Sequence, residues 1–182
     1  MNFRFMLVFS GILAVASGLL NPFLIVLLNG AGSFRDFGFL IGISMVVASV
    51  ASYFTGSFSD KVGRKPVLIA SLVGYAFVTI AYTFSKDIFY LAFLQSIVGV
   101  LQAMFTTANN ALLADITDDD SRGKKIGTEA SLSSLIGGLT VMAGGVIASI
   151  VGINTVFYMV SFLFIASILP LMKINENRKS RT

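Results

Sequence analysis

The residues best placed to do chemistry lie along one stretch of an apolar run. Gln95, Gly99, Gln102, Thr106 and Asn109 recur at intervals of four, three, four and three. At 100° per residue they span an arc of about 80° on one helix. Apart from a few polar residues such as Ser96, Thr107 and Asn110, the rest of that stretch is Leu, Ile, Val, Ala, Phe and Met. Amides and hydroxyls give and accept hydrogen bonds without titrating, so the stripe suits binding rather than proton transfer or nucleophilic attack. An unpaired amide in hydrocarbon costs several kcal/mol. The stripe must therefore face other helices or water, and both readings stand: a packing interface, or the wall of a solute path. A second polar set, Ser10, Ser17 and Asn21, spaced by seven and four, also falls on one helical face. It too either bonds across a helix interface or lines a cavity. Pro22 follows and predicts a bend.

The elements that carry these residues are membrane spans. The 182-residue chain is 55% hydrophobic and 12% charged, with a mean hydropathy of +0.87. A soluble domain carries about 25% charge. There is no cysteine and no histidine, which removes disulfides, thiol nucleophiles, His-based metal sites and Ser–His chemistry together. No cofactor, metal site or catalytic residue is expected, and the chain is not read as an enzyme. The net charge of +4 sits in short loops between apolar runs, so it reports topology rather than a nucleic-acid surface.

Six apolar spans are predicted, at about 5–28, 37–56, 66–84, 88–114, 126–150 and 153–172, each near or above the ~20 residues a crossing needs. The first is too long for a signal peptide and reads as an uncleaved helix. Of thirteen Lys and Arg, only Arg35 and Lys86 fall in the outer loops if the N-terminus is inside. Both termini are then expected on the cytoplasmic side. The chain divides into a six-helix domain, residues 1–172, and a basic tail, residues 173–182. The sixth span, rich in Phe, reads as a lipid-facing support helix.

Two motif-like stretches give way to plainer readings. Ser71-Leu72-Val73-Gly74-Tyr75 lacks the threonine and final glycine of a potassium-channel filter and reads as uninterrupted helix. Asp118, Asp120, Gly123 and Glu129 match positions 1, 3, 6 and 12 of a calcium loop, but position 5 is Arg122, which cannot ligate a cation. Glu129 instead reads as an acid in the first turn of the fifth span, where the helix dipole favours an anion.

Between the second and third spans lies Gly56-Ser57-Phe58-Ser59-Asp60-Lys61-Val62-Gly63-Arg64-Lys65-Pro66. It reads as a tight turn at the membrane surface: Gly56 in the last turn of the incoming helix, leaving room for a neighbour, Gly63 free to take positive φ, and Pro66 at the first position of the next helix. The spacing of Gly56, Asp60, Lys61, Gly63, Arg64 and Lys65 resembles the signature loop between helices 2 and 3 of the major facilitator superfamily of transporters. That resemblance implies an all-α membrane fold, a six-helix half-domain built as a 3+3 inverted repeat. It implies that Arg64 pairs with Asp115, at the end of the fourth span, when the cytoplasmic side is closed. The stretch from Thr117 to Gly127 is similar to the family's 4–5 loop. Two departures bear on energy coupling: Gln95 stands where many members have an arginine four residues before Gly99, and no proline precedes the Gly137-Gly138 and Gly144-Gly145 pairs as it does in the family's antiporters.

Members of that family usually have twelve spans in two halves, with the solute path between them. Six spans alone would leave the amide stripe facing lipid. The expectation is a homodimer in the plasma membrane, two parallel copies about a two-fold along the membrane normal. Asp60 of one copy would meet Gly127 to Ser131 of the other, and Ser17, Asn21, Gln95, Gln102, Thr106 and Asn109 would line a shared path. Tyr53, Tyr75 and Tyr82 are further lining candidates. With no buried charge among these residues, the expected solute is neutral or amphiphilic, drug-like molecules included. The alternatives are a complementary half, an inert half of a split transporter, or a six-helix scaffold or regulatory subunit that moves nothing.

Overall fold

The structure, a computed structural model, describes residues 2–30, 34–84, 87–117 and 119–174. Ser85, Lys86, Asp118 and the tail beyond residue 174 lie outside the described residues. The described residues form six helices, α1 (Asn2–Gly30), α2 (Phe34–Val62), α3 (Arg64–Tyr82), α4 (Ile88–Asp115), α5 (Arg122–Val151) and α6 (Ile153–Met172), with a short 3-10 turn at Asp119–Ser121 before α5. All six are long and apolar enough to span a bilayer, and among the described residues there is no strand.

The helices pack as two interleaved triplets. α4 packs against α2 and α3, α1 against α5 and α6, and α3 against α6. Exchanging α1 with α4, α2 with α5 and α3 with α6 maps this pattern onto itself. Helices three apart in an up-and-down bundle run in opposite directions, so the repeat is inverted. Glycines serve both copies of the repeat. A Cβ at Gly99 would stand 2.5 Å from the Ser44 carbonyl oxygen, and one at Gly18 would stand 2.7 Å from that of Gly137. Each glycine lets α4 or α1 lie directly on the backbone of its partner, α2 or α5.

The buried core joins α1, α3, α4 and α6. Met6, Phe9, Leu68, Leu72, Leu112, Val160 and Leu171 are sealed within it. A smaller cluster of Leu40, Val78, Tyr82, Leu91, Leu94 and Leu101 ties in α2. The Ser161 hydroxyl crosses from α6 to the Ala76 carbonyl of α3 at 3.0 Å. α6, expected as a lipid-facing support helix, has one face in this core and an open apolar face with Phe162 and Leu169 on the other side. Buried residues make up 44% of its apolar window, against 11% for α2 and 6% for α5. The phenylalanines of α6 include Phe157 and Phe164, which point into the bundle. α2 and α5 are the outer helices, and the side chains they leave open, such as Met45, Val50, Leu139 and Met142, suit lipid or another apolar surface.

The signature stretch is helical rather than a loop. Nothing in Ser57 to Val62 breaks a helix, so α2 runs six residues past Gly56. The turn contracts to Gly63, at φ 109° and ψ 152°, whose N–H bonds to the Ser59 carbonyl at 3.0 Å. That is the positive φ the glycine was expected to supply. Gly56 itself makes no close approach: a Cβ there would meet only Thr107 Cγ2, at 3.9 Å. Pro66 is the third residue of α3, not the first, still among the four whose N–H groups a helix leaves unpaired. The second reversal is Gly152, at φ 81°, between α5 and α6. α1 continues through Pro22 without a break.

Candidate functional site: a polar trough between α1 and α4

Local chemistry decides which polar side chains remain available. In these helices hydroxyls bond back to carbonyls three or four residues earlier: Ser44 to Ile41, Thr55 to Ala51, Thr79 to Tyr75, Ser96 to Ala92 and Thr140 to Ile136. A Ser or Thr is thereby satisfied within its own helix. Asn and Gln cannot do this with both ends of the amide, and they are the residues left to face a cavity.

α1 and α4 make little direct contact, and a trough opens between them. One part of it, a cavity of about 320 Å³, is lined by Ser17, Asn21, Gln102 and Thr106 together with Tyr75, Tyr82 and Phe164. A second part, about 540 Å³, lies between α1, α4 and α5 and is lined by Ser10, Ser17, Asn21, Phe105 and Asn109, and by Glu129, Ser133 and Ser134 of α5. Leu13, Ser17, Asn21 and Phe105 belong to both, so the two hollows adjoin along α1. Asn21, Gln102 and Thr106 are exposed on this side. Asn109 is half-buried, and its Oδ1 is sealed from solvent with no hydrogen-bond partner among the described residues.

Five of the six expected path residues therefore share one trough. Gln95 does not. It is 2% exposed and lines neither hollow. At one turn before Gly99, it lies on the side of α4 that Gly99 presses against α2, and its Nε2 has no partner there. The 80° arc is wide enough for its first turn to enter a helix interface while its last two turns face a cavity. Tyr53 also falls outside the trough: it is 82% exposed on α2 and packs edge-on to Phe54.

Glu129 corrects the reading that no charge lies along the path. α5 starts at Arg122 rather than near residue 126. Glu129 is then two helical turns from the start, about 10 Å along the axis, beyond the reach of first-turn dipole stabilisation. Its helical phase turns it toward Asn109 and Ser17, into the larger hollow. The signal was present in the sequence: Glu129, Ser133 and Gly137 follow each other at intervals of four, one face of α5.

At the end of the bundle where α1 begins and α6 ends, the signature residues form a tie. Arg64 reaches from the start of α3 to Asp115 at the end of α4, and on its other side to Asp60, 3.3 Å away in the last turns of α2. The Arg64–Asp115 pair is the one the resemblance implied. Lys65 donates to the Met172 carbonyl, 3.1 Å away, at the end of α6, and a guanidinium nitrogen of Arg122 lies 3.4 Å from the Ala114 carbonyl. Lys173 sits 5.7 Å over the Phe5 ring. Four helix ends are thus joined through the Gly63 turn. Lys61 points outward. Asp60, Gly127 and Ser131 are all exposed or near-exposed at this end and do not meet within one chain.

Among the described residues no group of His, Cys, Asp and Glu is arranged to hold a metal ion. The fold and the site define a membrane-spanning helical bundle with a polar trough on one side and a charged tie at one end. A sequence model of the Major Facilitator Superfamily matches residues 6–182, and the chain belongs to that family. It is 36% identical over 142 residues to the multi-drug resistance efflux pump PmrA of Streptococcus pneumoniae, covering 77% of this chain and 35% of that protein. It is 33% identical over 144 residues to the multidrug resistance protein MdtG of Proteus mirabilis, with the same coverage of each. The chain thus spans about a third of the length of these curated relatives. A 27% match over 159 residues to the uncharacterized MFS-type transporter YitZ of Bacillus subtilis covers 87% of this chain and 97% of that protein. Family and relatives point to a transporter rather than an enzyme.

Proposed function

We propose that this chain forms one side of a secondary transporter that moves a neutral or amphiphilic small molecule, drug-like efflux included, by alternating access. The observation that carries the reading is the trough itself. Asn21, Gln102 and Thr106 are polar and exposed on membrane-spanning helices, which hydrocarbon would not tolerate. A water-filled path closed by a second six-helix unit satisfies them. The similarity to PmrA, a multi-drug resistance efflux pump, and MdtG, a multidrug resistance protein, supports a drug-like solute.

The second unit is another copy of this chain in our reading. Both termini lie on the cytoplasmic side of the plasma membrane, as the Lys and Arg distribution favours, so two copies can stand in parallel. Asp60 of one copy then meets Gly127 to Ser131 of the other. Both surfaces are open, and a Cβ at Gly127 would meet nothing within 4 Å. Closing this contact shuts the cytoplasmic end and rocking opens it. The tie made by Arg64, Asp60 and Asp115 lets each unit rock as one body.

Flux through vesicles tests the path. Gln102→Leu alone, which leaves the Asn21 and Asn109 amides in place, is expected to abolish transport of a fluorescent drug-like solute. A substitution that alters assembly and not flux would favour a scaffold. The chain has no cysteine, so Asp60→Cys with Ser131→Cys provides a clean crosslink. The expected product joins two chains, and a product confined to one chain would sink the homodimer. The coverage of PmrA and MdtG keeps a second occupant in view, a complementary half on a different chain. Purification of the unmutated chain from its native membrane with a stoichiometric six-helix partner would favour it.

A further inference from the structure

α5 and α6 diverge from the turn that joins them. α5 lies along α1, where Gly18 sits against Gly137, and Gly144 against Leu19 and Phe23, while α6 packs on α1 and α3. The two touch each other little, and a groove of about 890 Å³ opens between them with Val15 and Leu19 of α1 at its base. Its walls include Leu139, Ala143 and Ile147 of α5 and Met159, Phe162 and Leu163 of α6. None of its described lining residues is charged. Both threonines on the walls are satisfied within their own helices: Thr140 donates to the Ile136 carbonyl and Thr155 to that of Val151, each at 2.8 Å. The half-exposed Tyr158 brings the remaining polar tip. The groove therefore suits hydrocarbon and offers almost nothing to a polar guest.

The length of the groove is that of one leaflet. From Ile136 to Ile147 the α5 wall runs about 16 Å along the axis, half of the ~30 Å hydrocarbon core. On α6 the lining starts at Thr155, in the first turn after Gly152. The groove thus begins beside the Gly152 turn and ends near the bilayer middle. A helix of that length, ~10 Å across, would occupy roughly 1,250 Å³, more than the groove holds. We propose that this groove seats the acyl chain of one membrane lipid, drawn from the leaflet on the side of the Gly152 turn. A flexible chain follows walls that a rigid helix cannot, and its headgroup stays at the level of the turn. A lipid on an open helix face has protein on one side, whereas a chain seated here gains dispersion contacts from three helices. Such packing, rather than the hydrophobic effect, is what holds helices together in lipid. The seated chain supplies the contact between α5 and α6 that their own side chains make only sparsely. The proposal does not rest on the trough, with which the groove shares no lining residue.

The chain has no tryptophan, so a single introduced one reports alone. Phe162→Trp places it on the groove wall. Phe77→Trp places it on the open face of α3, at a residue 70% exposed that lines none of the hollows described. Each full chain, in micelles of digitonin, a rigid steroid detergent with no acyl chain, is titrated with dioleoylphosphatidylcholine brominated at its double bonds, and Trp quenching is read. Phe162→Trp is expected to reach half-quenching at about three- to tenfold less lipid than Phe77→Trp. Adding Ala143→Phe, which fills the groove, is expected to bring the Phe162→Trp curve onto that of Phe77→Trp. Coincident curves for the two Trp variants with the groove unfilled overturn the proposal, since lipid then wets the groove like any open face. So does a preference that survives Ala143→Phe. Quenching of Phe77→Trp with none of Phe162→Trp overturns it too, and shows that a helix of a second copy or of another chain covers the groove. If Ala143→Phe does not fold, the first comparison decides by itself.

Discussion

At the scale of the residue, Arg64 shows how a motif acquires its meaning from what it touches. Its guanidinium and the Asp115 carboxyl are mostly shielded, with side chains 19% and 26% exposed, while Asp60 is 64% exposed. Charge-assisted bonds gain strength out of water, and exposed pairs contribute little. A double-mutant cycle of Arg64→Ala with Asp115→Ala is expected to return a coupling of about 1–2 kcal/mol. The same cycle with Asp60→Ala should return about 0–1 kcal/mol. Unfolding of the chain in mixed micelles by increasing denaturing detergent measures both. Equal couplings would mean that the two acids share the arginine evenly, contrary to their burial. Lys65 acts differently, as a cation at the last carbonyls of α6, where the helix dipole favours positive charge.

At the scale of the element, the helices are held by backbone approach as much as by side chains. Gly18 and Gly99 occupy equivalent places in the two triplets, and each would bring a Cβ against a carbonyl oxygen of the facing helix. A backbone oxygen cannot rotate away, so the whole helix must shift. Gly18→Ala and Gly99→Ala are each expected to destabilise the bundle by about 1–3 kcal/mol. Gly56→Ala, in ordinary van der Waals space, and Gly138→Ala, in open space, should be neutral by the same unfolding assay. A measurable cost at Gly56 would indicate that the signature glycine serves a contact outside the single chain. Such a result would itself support the proposed neighbour at that end.

At the scale of the whole molecule, the unequal burial of the helices is the leading fact. α1, α3, α4 and α6 share a core, and α2 and α5 lie outside it with almost all their apolar windows open. The hydrophobic effect does not drive helix association in lipid, where tails are as apolar as leucine. Exposed Val50 or Met142 therefore exerts no pull toward a partner. In the proposed homodimer the pull would come from the amides and the carboxylate of the trough. Single-molecule photobleaching in bilayers is expected to count two copies per particle. Removing the trough's polarity with Asn21→Leu and Gln102→Leu together should shift particles toward one copy while the helices remain intact by circular dichroism. Persistence of two copies would place the dimer's driving force in α2 and α5 instead.

Much of this protein was legible in the order of its residues. Six apolar runs, a charge bias between loops, and a glycine–acid–base spacing after the second run define the family and the helix count, because span length and loop charge are local properties that the bilayer reads directly. The Arg64–Asp115 tie followed from that family pattern. The face each polar residue finally presents was decided only by tertiary packing. Gln95 and Gln102 belong to one stripe, yet Gly99 presses the first against α2 and the second opens on a cavity. Glu129 read as an acid in the first turn of the fifth span, but α5 begins a turn earlier and α1 and α4 part beside it. Periodicity along one helix sets the spacing of side chains. What each of them faces depends on where the other helices stand.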